Sequence, residues 1–151
     1  EMCIRDRSAC VDNIDKKQSI GVVYCDVTGL KYVNDTMGHE AGDRLILNAC
    51  ACLTDVFGED RVFRIGGDEF CVILEKTNAV EIHQILDSLE RKINVYNEKN
   101  NIKISYAKGC EISTREHYYL MEELTKRADS RMYENKRLMK GKRLDGRRLN
   151  V

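Results

Sequence analysis

Two runs of strand-forming residues, Arg61 to Ile65 and Glu69 to Leu74, are separated only by Gly66, Gly67 and Asp68. A connection that short makes the runs fold back on each other as an antiparallel β-hairpin, with the glycines and the acid at its tip. An isolated hairpin is marginal in water, so the rest of the chain has to supply partners for it. Ser19 to Val27 (SIGVVYCDV) reads as a buried central strand with Asp26 near its end, and Asn101 to Ile112 reads as another strand. Helices fill the intervals. Gly29 to Thr36 forms a short helical turn closed by Met37-Gly38, with Gly38 as a left-handed cap. Glu40 to Phe57 places Leu45, Ala49, Cys52, Leu53 and Val56 on one face. A longer helix starts at the capping-box pattern Asn78-Ala79-Val80-Glu81 and carries Ile82, Ile85, Leu89, Ile93 and Tyr96. The last, Tyr118 to about Lys140, is supported by Glu122/Lys126 and Glu123/Arg127 pairs. The order β-α-α-β-β-α-β-α predicts an α/β (α+β) fold of the ferredoxin-like kind, a mixed sheet flanked by helices.

At 151 residues the chain suits one domain. We place it at 19–151 and treat 1–18 as a truncated or foreign segment, because EMCIRDR has no apolar character and fits nothing after it. Lysines plus arginines number 25 and acids 25, so no global charge recruits nucleic acid or an anionic membrane. Any polyanion has to be held by local arrangement. Seven cysteines stand at 3, 10, 25, 50, 52, 71 and 110 without a C-x-x-C pair, which disfavours a zinc site or a disulfide framework and reads as buried thiols in a reducing, cytoplasmic setting. No apolar run approaches a membrane span and no signal peptide is visible. The basic stretch Lys140 to Arg148 reads as a solvated tail.

Gly66 and Gly67 have an ordinary explanation, since a tight turn often needs positive φ. Asp68 and Glu69 do not. Neighbouring carboxylates repel, and a strand leaving a turn directs one of them toward the buried face, which is unfavourable unless a cation offsets the desolvation. A divalent metal would do so. Asp26 is either a cap for the following helical turn or a ligand in the crevice beyond the sheet. If the hairpin lies beside this strand, Asp26, Asp68 and Glu69 converge on a hard-oxygen site suited to Mg²⁺. The glycines would then let backbone N–H groups approach a phosphate closely. Asn34 and Asp43, brought to one pocket by a turn at Gly38, suit a guanine edge: a carboxylate accepts from N1–H and N2–H₂, and an amide meets O6 or N7. Their ordinary readings are a turn residue and a helix cap.

Gly66-Gly67-Asp68-Glu69-Phe70 is the signature that names the GGDEF domains, and from about Ser19 to Lys140 the sequence resembles a diguanylate cyclase. Asp26, Lys31, Asn34-Asp35, Gly38-His39, Gly42-Asp43, Arg64, Ala128-Asp129, Tyr133 and Lys136 also fall where that pattern puts them. The resemblance implies a fold like those of nucleotide cyclases and polymerase palm domains, and condensation of two GTP into cyclic di-GMP with release of two pyrophosphates. It implies that Asp26, the Val27 carbonyl, Asp68 and Glu69 hold Mg²⁺ (or Mn²⁺). Either Asp68 or Glu69 would be the catalytic base for the 3′-hydroxyl. Asn34 and Asp43 would read guanine, and Gly66 and Gly67 would border the phosphates. Lys31, Lys136 and Lys140 would lie on the substrate side, Lys136 neutralising the terminal phosphates. The reaction needs a second copy of the domain, met face to face in a transient or regulated homodimer.

Some positions depart from the pattern. Gly29-Leu30 replaces an aromatic pair, and Lys140 replaces an Arg that contacts phosphate, keeping charge but losing a bidentate fork. The entry motif D-x-L-T-G-L-x-N-R is absent from residues 1–18. The inhibitory motif R-x-x-D reads Phe57-Gly58-Glu59-Asp60, a degenerate product site that keeps Asp60 but lacks the Arg. The alternative to an active cyclase is a catalytically idle GTP-binding regulatory or interaction module. A cyclic di-GMP receptor is disfavoured by Phe57, and a cyclase making cyclic AMP by Asn34 and Asp43.

Overall fold

The structure is a computed structural model that describes residues 18–148, with side chains as far as residue 142. The segment read as truncated or foreign, with Cys3 and Cys10, lies outside the described residues apart from Gln18. The elements are β1 (Ile20–Val27), α1 (Leu30–Met37), α2 (His39–Phe57), a single 3₁₀ turn (Glu59–Arg61), β2 (Val62–Arg64), β3 (Glu69–Glu75), α3 (Ala79–Lys99), β4 (Tyr106–Ser113) and α4 (Met121–Arg148). The strands form one four-stranded sheet in the order β2-β3-β1-β4.

Every described strand pairing is antiparallel, which corrects the mixed sheet expected from the element order. The reason is interleaving. The helical crossover from β1 leads to β2 and that from β3 leads to β4, and each connects strands running the same way. The sheet order inserts β3 between the first pair and β1 between the second, so parallel strands never become neighbours. This is the split β-α-β arrangement of ferredoxin-like folds.

Alternation along β1 sorts its side chains between two cores. Val23, Cys25 and Val27 pack with Leu45, Leu53, Ile82 and Leu89 from α2 and α3. Val22 and Tyr24 pack on the other face with Leu124, Ala128 and Met132 from α4. Burial on both faces is why β1 reads as a continuous apolar run. A fully buried Val contributes about 1.5–3 kcal/mol, and β1 holds Val22, Val23 and Val27 in that state. Helix α4 docks very closely: a Cβ at Gly109 on β4 would collide with the backbone of Met132 and Ala128. That approach aims the next turn of α4 at the end of β1.

Several boundaries differ from the sequence reading, among them Arg61, which lies in the 3₁₀ turn, and Tyr118, which precedes α4. Strand β4 begins at Tyr106 rather than near Asn101. The Asn97 amide donates to the Ile104 carbonyl (2.9 Å) and its oxygen accepts from the Ile104 N–H (2.8 Å), meeting locally the needs a ladder would otherwise meet. Gly38 has φ 90° and ψ 166°, a conformation reserved for glycine but not the left-handed cap expected. Helix α4 runs on to Arg148 where a tail beyond Lys140 was expected; no proline interrupts it. The Asn78 side chain accepts from the Glu81 N–H at 2.9 Å, as the capping pattern predicts.

Candidate active site

The ladder between β1 and β3 sets Asp26 opposite Glu69. Directly opposed residues project from the same face with Cβ atoms about 4.5–5.5 Å apart. That face is the one covered by α4, because Asp26 continues the Val22, Tyr24 series and Glu69 the Ile73, Cys71 series. The Val27 N–H donates to the Asp68 carbonyl at 2.8 Å, which ties the hairpin tip to the end of β1. Register thus brings Asp26 and Glu69 together at one end of the sheet, with Asp68 held next to them through its backbone carbonyl.

The demand for a positive charge is real, and a lysine answers it. Lys136 Nζ lies 2.8 Å from Asp26 Oδ2, and the Asp26 side chain is only 4% exposed. Lys136, expected at terminal phosphates, is therefore held on the first acid in this structure. Its hydrogen bond with Asp26 raises the lysine's pKa above the ordinary value, and the charges of Asp26, Asp68 and Glu69 reinforce that. Asp26 Oδ1 is buried without a hydrogen-bond partner. Glu69 has its carboxyl raised above the ordinary range, first by burial, then by repulsion from Asp26, Asp129 and Asp68, with Lys136 partly offsetting them.

Among the described residues, no three His, Cys, Asp or Glu side chains already close on one point as a finished metal site. The donor set nevertheless fits a hard cation. An orphaned buried carboxylate oxygen, a second carboxylate destabilised by its neighbours and a third beside it on the loop are oxygen donors short of positive charge. Asp129 on α4 belongs to this field and had no role in the sequence reading. Its signals there were its match to the family pattern and its position two helical turns before Lys136, on the same face.

At the hairpin tip, neither Gly66 nor Gly67 takes a positive φ, so the ordinary explanation for the double glycine fails. Crowding does not require glycine either. A Cβ at Gly67 would meet nothing within 4 Å, and one at Gly66 only Glu69 at 3.8 Å. What remains is the bare surface itself, open to a ligand's close approach. Arg64, the last residue of β2, donates from Nε to the Gly66 carbonyl (3.1 Å) and from Nη2 to the Gly67 carbonyl (2.7 Å).

The second constellation sits at the α1–α2 corner. Asn34 is inside α1 and Asp43 inside α2, which starts at His39 and has no side-chain cap. Neither ordinary reading, turn residue or helix cap, describes them. Asn34 lies against Gly42, where a Cβ would collide with Asn34 Oδ1, so its amide is set beside the residue preceding Asp43. Asp43 is exposed and Asn34 half-buried, leaving both polar groups available. Lys31 is exposed on α1, and Lys140 lies exposed one turn after Lys136 on α4. Phe57 is buried in the core and offers no charge to a ligand. Asp60 and Arg61 border a cleft of about 190 Å³ with Phe63, Ile73 and Glu75.

The described cysteines form no disulfide, and burial pushes the Cys25 thiol up to about 12. No described helix is long and apolar enough to cross a membrane.

A family model described as "Diguanylate cyclase, GGDEF domain" matches residues 7–142, starting ahead of the Ser19 boundary read from the sequence. Diguanylate cyclase DgcN of Escherichia coli (strain K12) is 29% identical over 135 residues, covering 83% of this chain and 32% of that protein. A stretch 32% identical over 116 residues, covering 74% of this chain, occurs in the cyclic di-GMP phosphodiesterase PdeB of Shewanella oneidensis, where it makes up 13% of the protein. The crystal structure of the GGDEF domain of DgcB from Caulobacter crescentus in complex with c-di-GMP matches in fold with a TM-score of 0.72 at 23% identity, covering 86% of this chain and 79% of that one. The chain spans a third or less of the length of these curated relatives.

Proposed function

The chain belongs to the GGDEF domain family, and we propose that it is a diguanylate cyclase domain that condenses two GTP molecules into cyclic di-GMP. The observation that carries this reading is the pairing of Asp26 with Glu69, with Asp26 Oδ1 buried and unpartnered, next to a hairpin tip whose glycines leave open space.

In this reading Asp26, the Val27 carbonyl, Asp68 and Glu69 hold Mg²⁺ or Mn²⁺. When bound, the ion stabilises charge on phosphoryl oxygens and lowers the pKa of the attacking hydroxyl. The protein's own groups position and neutralise. Asn34 and Asp43 take the guanine edge, with Asp43 accepting two N–H donors that adenine lacks. Gly66 and Gly67 border the phosphates. Lys136 and Lys140, one turn apart, give the leaving pyrophosphate two ammonium groups, with Lys31 on the substrate side. Each 3′-hydroxyl oxygen bonds to the α-phosphorus of the other GTP and its proton passes to Asp68 or Glu69. The bond from phosphorus to pyrophosphate breaks at the same centre. Closing the ring takes this step twice, so two copies of the domain meet face to face and the rate rises with protein concentration.

The test is product formation by purified protein at high concentration with GTP and Mg²⁺. Cyclic di-GMP is expected, and its absence while GTP is demonstrably bound favours a second reading. That reading is a catalytically idle GTP-binding module, and two observations support it. Lys136 is ion-paired with Asp26 at 2.8 Å, so the chain's own charge balances that acid, and a similar stretch occurs within a protein named as a phosphodiesterase. GTP titrations with and without Mg²⁺, run beside turnover, separate the two.

A further inference from the structure

We propose that Arg64 is a positioning residue that preorganises the hairpin tip for a polyphosphate by gripping its carbonyls from behind. The inference rests on the nucleotide reading above and adds a residue to which no role has been given.

Two donors of one guanidinium engage two consecutive carbonyls, those of Gly66 and Gly67, at 3.1 and 2.7 Å. No described peptide is cis, and in a trans peptide the C=O and the following N–H point in opposite directions. The Gly67 and Asp68 N–H groups therefore both point away from Arg64. Among the described residues neither N–H has a backbone acceptor. The remaining carbonyls of the tip are also committed: that of Asp68 accepts from Val27 N–H at 2.8 Å, and that of Glu69 from Ile65 N–H at 2.9 Å and Gly66 N–H at 3.4 Å. Carbonyls of the tip are thus tied to protein donors, and two successive N–H groups are left facing outward. Consecutive N–H groups on one side make an anion-binding concavity.

Glycine now has a reason at position 67 that neither φ nor crowding supplied. A side chain there would stand in open space, where an anion must come to reach both donors. The arrangement also keeps carbonyl oxygens, with their partial negative charge, turned away from a phosphate that already has to approach three acids. Charge-assisted bonds from a planar fork hold two carbonyls in fixed directions; a flexible lysine holds them less well. Arg64 acts through the backbone: the two donors that hold the carbonyls are the ones a direct phosphate clamp would use.

The test compares wild type with Arg64→Met and Arg64→Lys, after thermal melts confirm that each variant folds. In nucleotide-free protein, the Gly67 and Asp68 amide resonances should shift and their hydrogen exchange should accelerate in Arg64→Met, with Arg64→Lys between the two. GTP affinity should fall about tenfold to a hundredfold in Arg64→Met, the loss of one or two charge-supported hydrogen bonds. Guanosine affinity should not change. Amides unchanged in the free protein, or guanosine weakened as much as GTP, would overturn the positioning role. A wild type that binds neither GTP nor guanosine overturns the nucleotide reading and this inference with it. Wild type binding GTP normally while Arg64→Met leaves GTP affinity intact overturns the inference alone.

Discussion

Asp26 and Glu69 are neighbours because two strands pair in one register, whereas Asn34 and Asp43 are neighbours because two helices turn sharply at Gly38. The acid end draws on positions 26, 69 and 136, buries Asp26 while Glu69 and Lys136 stay part-exposed, and carries repulsion that a lysine only partly relieves. The α1–α2 corner draws on a single stretch of sequence, is open to solvent, and carries no comparable strain. The difference separates two tasks. Repelling groups need a rigid ladder to hold them together until a ligand arrives, while recognition of a base edge needs only correct hydrogen-bond partners on a local scaffold.

If that division holds, substitutions at the two ends should fail in different ways. The largest effect is expected from Asp26→Asn, which should lower cyclic di-GMP formation on the order of a thousandfold while GTP-over-ATP selectivity in binding is retained; turnover and competition assays check both. Asp43→Asn should do the reverse, reducing discrimination between GTP and ATP by roughly a hundredfold with little change in melting temperature. Unchanged selectivity would remove Asp43 from the base pocket. Lys136→Met leaves Asp26 buried and unpaired, and should destabilise the nucleotide-free protein by about 3 kcal/mol, measured by denaturant unfolding. No substitution at the α1–α2 corner should approach that value. Gly42→Ala should displace the Asn34 amide and weaken guanosine binding about tenfold, because the colliding atom ends a side chain that can move. The smallest effect is expected from Glu69→Gln. Its raised pKa means that the ionised form opposes folding, so the penalty is absent below the ordinary glutamate range and fully present above the raised value. The variant should melt higher than wild type at neutral pH and match it near pH 4, a gain of less than about 1 kcal/mol after solvent screening.

The two ends also differed in how much the sequence disclosed. The hairpin was legible because three residues between two strands leave no other geometry, and β1 because its apolar run reports burial on both faces. Asp26 stood out as an acid on that run. Asn34 and Asp43 were legible as a pair because they lie close in sequence. Lys136 on Asp26 was not, since the partners are 110 residues apart and a lysine on a basic helix looks solvated until Gly109 lets that helix down onto the sheet. The role of Asp129 in raising Glu69 was hidden for the same reason. The glycines were legible as a tip but not for their cause, because backbone φ is not written in composition. Arg64 was matched by pattern alone, since hydrogen bonds to carbonyls depend on the turn's conformation. The antiparallel sheet needed strand order, which element order alone does not fix.

The most direct measurement of the central claim is a crystal structure with a non-reacting GTP analogue and Mn²⁺, located by its anomalous scattering. The account predicts an ion bound by the Asp26 and Glu69 carboxylates, with the Lys136 ammonium moved off Asp26 toward the phosphates. Bound nucleotide with no ion at these acids, and Lys136 still on Asp26, would contradict it.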